Sequence, residues 1–175
     1  MRKANQPNFQ FSIFNFHTTT RSAGETQELG QKLGKNIQPG IVLALYGDLG
    51  SGKTVFVQGL GAGLNVPEDY TINSPTYMLI NEYPGRIKLL HVDLYRIDNP
   101  GKEEDTGLDD VFGNNAVAAI EWADRLGDDL PKNHIKIQFE IYGTESRKIK
   151  FSAYGQRGVN LLKIIEKDHS FPRDP

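Results

Sequence analysis

Apolar positions change rhythm along the chain. In residues 9–16 (FQFSIFNF), Phe9, Phe11 and Ile13 alternate with polar residues, as in a strand with one wet face, before the pattern slips. From Ser22 the period lengthens. Ser22 with Glu25 three residues on forms a capping box, and Leu29, Leu33 and Ile37 fall four apart on one helical face until Pro39 and Gly40 end the helix. Residues 41–45 (IVLAL) are apolar throughout, as suits a central strand buried on both faces. A glycine-rich loop and a helix over about 53–64 follow.

Residues 76–83 and 88–95 are two further strand candidates around a turn at Pro84 and Gly85. Residues 99–112 are polar and acidic, and short helical turns are expected there. Residues 116–122 (AVAAIEW) form a second wholly apolar run that ends in an acid. Alternation then returns. Ile135, Ile137, Phe139 and Ile141, and later Ile149, Phe151 and Ala153, flank residues 143–146, which predicts an antiparallel hairpin with one wet face. Val159, Leu162 and Ile165 predict a closing helix.

Composition narrows the class. The 175 residues suit one domain, and 38% hydrophobic with 24% charged residues is a globular balance. A formal charge of −2 advertises no nucleic-acid or acidic-membrane partner. Having no cysteine removes disulfides, thiolate metal sites and cysteine nucleophiles together. No run approaches the roughly 18 apolar residues of a membrane helix, so a cytoplasmic protein without membrane contact is expected.

The chemistry concentrates at residues 47–54, GDLGSGKT, which match G-x-x-x-x-G-K-[ST] in full. Glycines let consecutive backbone N–H groups turn inward around phosphate oxygens where a Cβ would clash. The buried strand before the loop and the helix after it are the context the motif demands. Lys53 would bridge the β- and γ-phosphates, the Thr54 hydroxyl would take a place on Mg²⁺, and the helix adds the positive end of its dipole. The fold class is therefore α/β, a P-loop NTPase-like single domain with a mixed parallel/antiparallel sheet flanked by helices.

A P-loop alone does not name a reaction. Asp93, after the apolar run in 89–92, and Glu121, ending the strand 117–120, sit where parallel strands deliver ligand-binding groups. Spacing alone leaves each either a metal-side acid or a solvated strand-end carboxylate. Ser74, Pro75 and Thr76 make an extended loop, read either as a γ-phosphate sensor or as an ordinary turn into a strand. His91 and Trp122 read first as packed core residues. D-x-x-G occurs at 110–113 but in a polar stretch, and no N-K-x-D follows, which argues against a GTPase.

Taken together, these motifs resemble the TsaE (also called YjeE) family, small P-loop ATPases of bacterial tRNA threonylcarbamoyladenosine (t6A) synthesis. The likeness rests on GDLGSGKT at 47–54, SPTY at 74–77, HVDLYR at 91–96, EEDTGLDDVF at 103–112 and IEW at 120–122, in that order, and runs from about Thr18 to Ile165.

The resemblance implies an α/β sandwich with ATP and Mg²⁺ as cofactors. Gly50, Ser51, Gly52, Lys53 and Thr54 would wrap the phosphates, with Val55 completing the nucleotide-binding loop and Thr54 on Mg²⁺. Glu121 would be the Mg²⁺-side acid, and Asp93 would organise the metal or the attacking water, so that Lys53, Asp93 and Glu121 form the catalytic set. Thr76 would belong to a switch-like loop. Trp122 and Asp124 would lie beside the nucleotide, and the turn at 22–24 would cover the adenine. The implied partners are the TsaD and TsaB proteins, whose complex transfers threonylcarbamoyl to adenosine beside the anticodon, with tRNA contacted indirectly. ATP hydrolysis would drive repeated turnover of that complex.

Some features depart from the family. Val55 stands where a second threonine is common, Ser51 replaces a frequent alanine, and residues 1–17 form an N-terminal extension, read either as an added edge strand or as a disordered extension. The ATPase domain is expected over 18–167 and a flexible tail over 168–175. No arginine finger is evident apart from the candidate Arg96, and a missing finger would mean slow hydrolysis by the protein alone. Two rival readings are a small-molecule P-loop kinase and a nucleotide-gated adaptor that needs no hydrolysis. The kinase reading is weakened because the only lid candidate, residues 99–113, has one lysine and no arginine.

Overall fold

The computed structural model describes residues 13–75, 78–97, 107, 111–113 and 115–168. Within them run β1 (Ile13–Thr20), α1 (Ala23–Asn36), β2 (Val42–Tyr46), α2 (Lys53–Gly63), β3 (Ile80–Tyr83), β4 (Lys88–Asp93) and β5 (Ala116–Glu121). A 3₁₀ segment (Ala123–Asp129), β6 (His134–Ile141), β7 (Arg147–Tyr154) and α3 (Gln156–Lys167) complete the chain. No helix among the described residues is long and apolar enough to cross a membrane.

The seven strands form one mixed sheet in the order β1-β7-β6-β2-β5-β4-β3. β2 pairs parallel with both β5 and β6, and β4 pairs parallel with β5. The remaining pairs, β1 with β7, β6 with β7 and β3 with β4, are antiparallel. The wholly apolar runs are thus the two innermost parallel strands, and the alternating runs make the antiparallel hairpin. Alternate residues of β2 feed two separate cores. Leu43 and Leu45 join the side chains of α1, α2 and α3, while Val42 and Ala44 join Leu90, Val92, Ala118, Ile120 and Leu126 on the opposite face. Among the described residues α1, α2 and α3 therefore cover one face, and the 3₁₀ segment contributes to the cover of the other.

α1 and α2 meet backbone to backbone. A Cβ at Gly30 would overlap the Phe56 carbonyl, one at Gly34 the Leu60 carbonyl, one at Gly59 the Gln27 carbonyl and one at Gly63 the Gln31 carbonyl. Two glycine pairs, each spaced by four, so seat the helix that follows the P-loop directly against α1.

Element boundaries differ from expectation in three places. Among the described residues the first strand spans Ile13–Thr20, ending past the expected 16, and its inward residues are Phe14 and Phe16, whereas Ile13 is 56% exposed. Pairing of Phe16 with Phe151 on β7 sets that phase, with the two rings stacked 4.6 Å apart. β3 starts at Ile80 because Leu79 turns left-handed at φ 57. β4 stops at Asp93, whose Oδ1 accepts from the Tyr95 N–H at 2.9 Å and closes an Asx turn. Residues 9–12, Thr76, Tyr77 and most of 99–112 lie outside the described residues, as do residues 1–12 of the N-terminal extension and all of the tail except Asp168.

Candidate nucleotide-binding site

β2 ends at Tyr46 and α2 begins at Lys53, so residues 47–52 make a short loop at the carboxyl end of the parallel strands. Gly47, Gly50 and Gly52 have φ of 141°, 75° and 101°. At Gly47 the space is also closed, since a Cβ would lie 2.7 Å from the Phe139 carbonyl and 2.7 Å from Ser51 Oγ. The N-cap of α2 is Gly52, with no side-chain cap and no acid in the first turn. The first N–H groups of α2 are left for an anion at the positive end of the helix dipole.

Lys53 is the cation of this cradle. It is only 4% exposed, and its Nζ donates to the Gly47 carbonyl at 2.6 Å and the Asp48 carbonyl at 3.0 Å. The ammonium also stands 4.2 Å from the centroid of the Trp122 ring. Burial lowers its pKa below the usual lysine value, against the opposing pull of Glu121, Asp93, Asp48 and Asp124.

Opposite the loop, β4 and β5 deliver their acids side by side, with Asp93 in register with Glu121. Glu121 is 3% exposed, and its Oε1 accepts from Thr54 Oγ1 at 2.8 Å and from His91 Nε2 at 2.9 Å. Because a carboxylate only accepts, His91 carries its proton on Nε2; its Nδ1 is buried without a partner. Asp93 Oδ2 accepts from the Ser74 hydroxyl, which ties the segment before Pro75 to the end of β4.

Between loop and strand ends opens a cavity of about 450 Å³, walled by residues 49–55 with Ser74, Asp93, Tyr95, Arg96, Glu121 and Trp122. Trp122 is in the left-handed region at φ 58, which turns the chain sharply after β5 and brings its ring within 5.0 Å of Tyr95. A second cavity, of about 480 Å³, lies at the other end of the sheet against Phe112, His134 and Gly155 and contains none of the expected site residues.

Oxygen donors from Thr54, Glu121 and Asp93 are a hard set, suited to Mg²⁺. Among the described residues no cluster of three His, Asp or Glu side chains makes a cation site by itself.

The structure thus brings Gly50, Ser51, Gly52, Lys53, Thr54, Val55, Asp93 and Glu121 to one cavity. Asp124 is exposed and outside its wall. Ser22 is the N-cap of α1, its hydroxyl accepting from the Glu25 N–H at 3.1 Å, and the turn at 22–24 does not line the cavity either. Of the D-x-x-G residues, Val111 is buried in the second core. Thr76 falls outside the described residues.

Two residues gain roles that sequence patterns did not supply. His91 is a core residue, as read, but its partner is the metal-side candidate Glu121. Arg147, at the start of β7, donates from Nε to the Ser51 carbonyl and from Nη2 to the Gly50 carbonyl, each at 3.1 Å. No side-chain motif marks either partner, because the acceptors on the loop are backbone carbonyls.

Comparison with known proteins adds a family. The model of the family described as "Threonylcarbamoyl adenosine biosynthesis protein TsaE" matches residues 20–149. The tRNA threonylcarbamoyladenosine biosynthesis protein TsaE of Bacillus subtilis is 38% identical over 144 residues, 82% of this chain and 89% of its own length. The protein of the same name from Nostoc sp. is 41% identical over 128 residues, 70% of this chain and 76% of its own. A crystal structure of B. subtilis YdiB superposes with a TM-score of 0.77 at 30% identity, covering 89% of this chain and 96% of that one.

Proposed function

The chain belongs to the TsaE family of t6A biosynthesis, and from that premise we propose that it binds Mg·ATP at the loop of residues 47–54 and hydrolyses it to support the t6A-synthesising complex. The observation that carries this reading is the convergence of Thr54 and His91 on one oxygen of Glu121 beside an uncapped helix N-terminus. A solvated strand-end acid has no need of two side-chain donors, one of them the fully buried His91.

In this reading the free N–H groups of the loop and of the α2 N-terminus hold the phosphate oxygens, and Lys53 keeps its ammonium over them. Thr54 and Glu121 would hold Mg²⁺, with Asp93 close enough to order water around it. When bound, the ion supplies neutralisation of charge on the phosphates. His91 fixes the Glu121 carboxylate from behind. Ser74 and Asp93 fix the start of the segment that leads to Thr76, the residue read as a γ-phosphate sensor. Arg96 is the only arginine in the cavity wall among the described residues. Hydrolysis by the isolated chain is slow if Arg96 does not serve as an arginine finger, and the TsaD and TsaB proteins are the partners that complete the site. Contact with tRNA runs through that complex.

Equilibrium titration with ATP and GTP, with and without Mg²⁺, tests the binding half. ATP is expected to bind, more tightly with Mg²⁺, and Lys53→Ala to abolish binding. A wild-type chain that ignores ATP, or that transfers its phosphate to a small molecule, would overturn the reading.

A further inference from the structure

We propose that Arg147 is a positioning residue for the phosphate loop, which makes the turn between β6 and β7 part of the nucleotide site. This rests on reading residues 47–54 as that site.

The Arg147 backbone is fixed from both sides, since it pairs with Thr20 on β1 and with Ile141 on β6. Its guanidinium spends one nitrogen on the turn, where Nη1 donates to the carbonyls of Ser146 at 2.9 Å and Gly143 at 3.2 Å. The other two nitrogens cross to the loop, 96 and 97 residues away in sequence, and take the carbonyls of Ser51 and Gly50. The planar fork of arginine can satisfy both groups of acceptors at once, which a lysine cannot.

Those two carbonyls decide where the loop N–H groups point. In a trans peptide the C=O and the following N–H lie in one plane and point in opposite directions. Holding the Ser51 carbonyl on Arg147 therefore turns the Gly52 N–H away from Arg147. The preceding peptide is held twice, by Arg147 on the Gly50 carbonyl and by the Ser51 N–H, which donates to the Asp48 carbonyl at 3.1 Å. Gly50 and Gly52 both have positive φ, and at Gly50 an added Cβ would meet nothing within 4 Å. Side-chain packing therefore does not fix Gly50, and hydrogen bonds are what orient its peptide. Arg147 supplies them without being a phosphate ligand itself.

Two measurements on the full chain test this. In the first, Mg·ATP and Mg·ADP are titrated into wild type, Arg147→Ala and Arg147→Lys. Arg147→Ala is expected to raise Kd about tenfold or more for both nucleotides, the equivalent of one lost charge-assisted hydrogen bond. Arg147→Lys should fall between, and millimolar guanidinium should restore affinity to the alanine variant while leaving wild type unchanged. A merely structural role would lower the unfolding midpoint and give no such rescue. In the second, amide hydrogen exchange is followed without nucleotide, with faster exchange expected across residues 50–54 in Arg147→Ala. A wild type that binds while Arg147→Ala binds equally well, or unchanged exchange in the loop, would overturn the proposal. A wild type that fails to bind overturns the site reading instead, and the exchange experiment still decides the role of Arg147.

Discussion

The Thr54 hydroxyl donates to Glu121 Oε1 at 2.8 Å, joining the first turn of α2 to the end of β5 across 67 residues of sequence. The contact exists because β2 and β5 are adjacent parallel strands, so the loop that follows one and the acid that ends the other reach the same edge of the sheet. In the proposed reading, this hydroxyl and carboxylate, held together beside the uncapped N-terminus of α2, are the pair an incoming Mg²⁺ would share.

Removing that carboxylate should separate chemistry from binding. Glu121→Gln keeps an oxygen acceptor for Thr54 and His91, so the fold is expected to survive with a small loss of stability. Glu121→Ala leaves the buried His91 Nε2 without a partner, while the Thr54 hydroxyl still faces the cavity, and should cost about 1–3 kcal/mol in denaturant unfolding. Both variants are expected to lose the Mg²⁺-dependent part of ATP affinity, read by titration with and without the ion. Unchanged Mg²⁺ dependence in Glu121→Gln would remove Glu121 from the metal site.

Asp93 should act on turnover more than on affinity. Its two oxygens are engaged by Ser74 and by the Tyr95 N–H, and Asp93→Asn can keep only one of them as an acceptor. Hydrolysis in the presence of partners is expected to fall about a hundredfold, with the Kd for Mg·ATP changing far less. Ser74→Ala should show a weaker form of the same pattern. Equal losses in affinity and rate would make Asp93 a binding residue only.

Lys53 gives a pH signature. Burial lowers its pKa, so the folded chain releases this proton at lower pH than the unfolded chain does. Between the lowered value and the ordinary 10.5 the unfolded state binds more protons, and stability from this group rises with pH. Below both values the penalty of burying the charge is present in full. Wild type is therefore expected to gain stability relative to Lys53→Met as pH climbs toward 10.5, seen as a shift in the difference between their urea midpoints. A difference that stays flat or moves the other way contradicts a buried, charged Lys53. Lys53→Met should also weaken ATP binding about a hundredfold.

The glycine contacts between α1 and α2 predict a stability defect remote from the chemistry. A Cβ at Gly59 would meet the Gln27 carbonyl, backbone that cannot swing aside. Gly59→Ala should destabilise by about 3 kcal/mol through overpacking, despite the better helix propensity of alanine. Calorimetry would show it, and an unchanged or raised melting temperature would mean that the helices are not in close contact.

Local signals in the sequence reached far in this protein. The glycine loop is contiguous, so its composition carries its geometry, and two apolar runs ending in acids were enough to put Asp93 and Glu121 at strand ends; that those strands are neighbours came only with the fold. The phase of β1 was harder to read. Phe9, Phe11, Phe14 and Phe16 offer two competing alternations, and only pairing with Phe151 chooses between them. The end of β4 depends on an Asx turn at Asp93 that the apolar pattern runs straight through. Gly30 and Gly34, like Gly59 and Gly63, are visibly four apart, but only a three-dimensional neighbour makes that spacing a contact. Arg147 was illegible for a deeper reason, since it recognises carbonyl oxygens that every residue possesses.

The most direct test of the account is phosphate release from Mg·ATP by the purified chain, alone and with a TsaB–TsaD pair added. Slow release that the pair strongly stimulates, and that Glu121→Ala abolishes, is the predicted result. Release that is equally fast without the pair would contradict completion of the site by partners, and none in either case would contradict the ATPase reading itself.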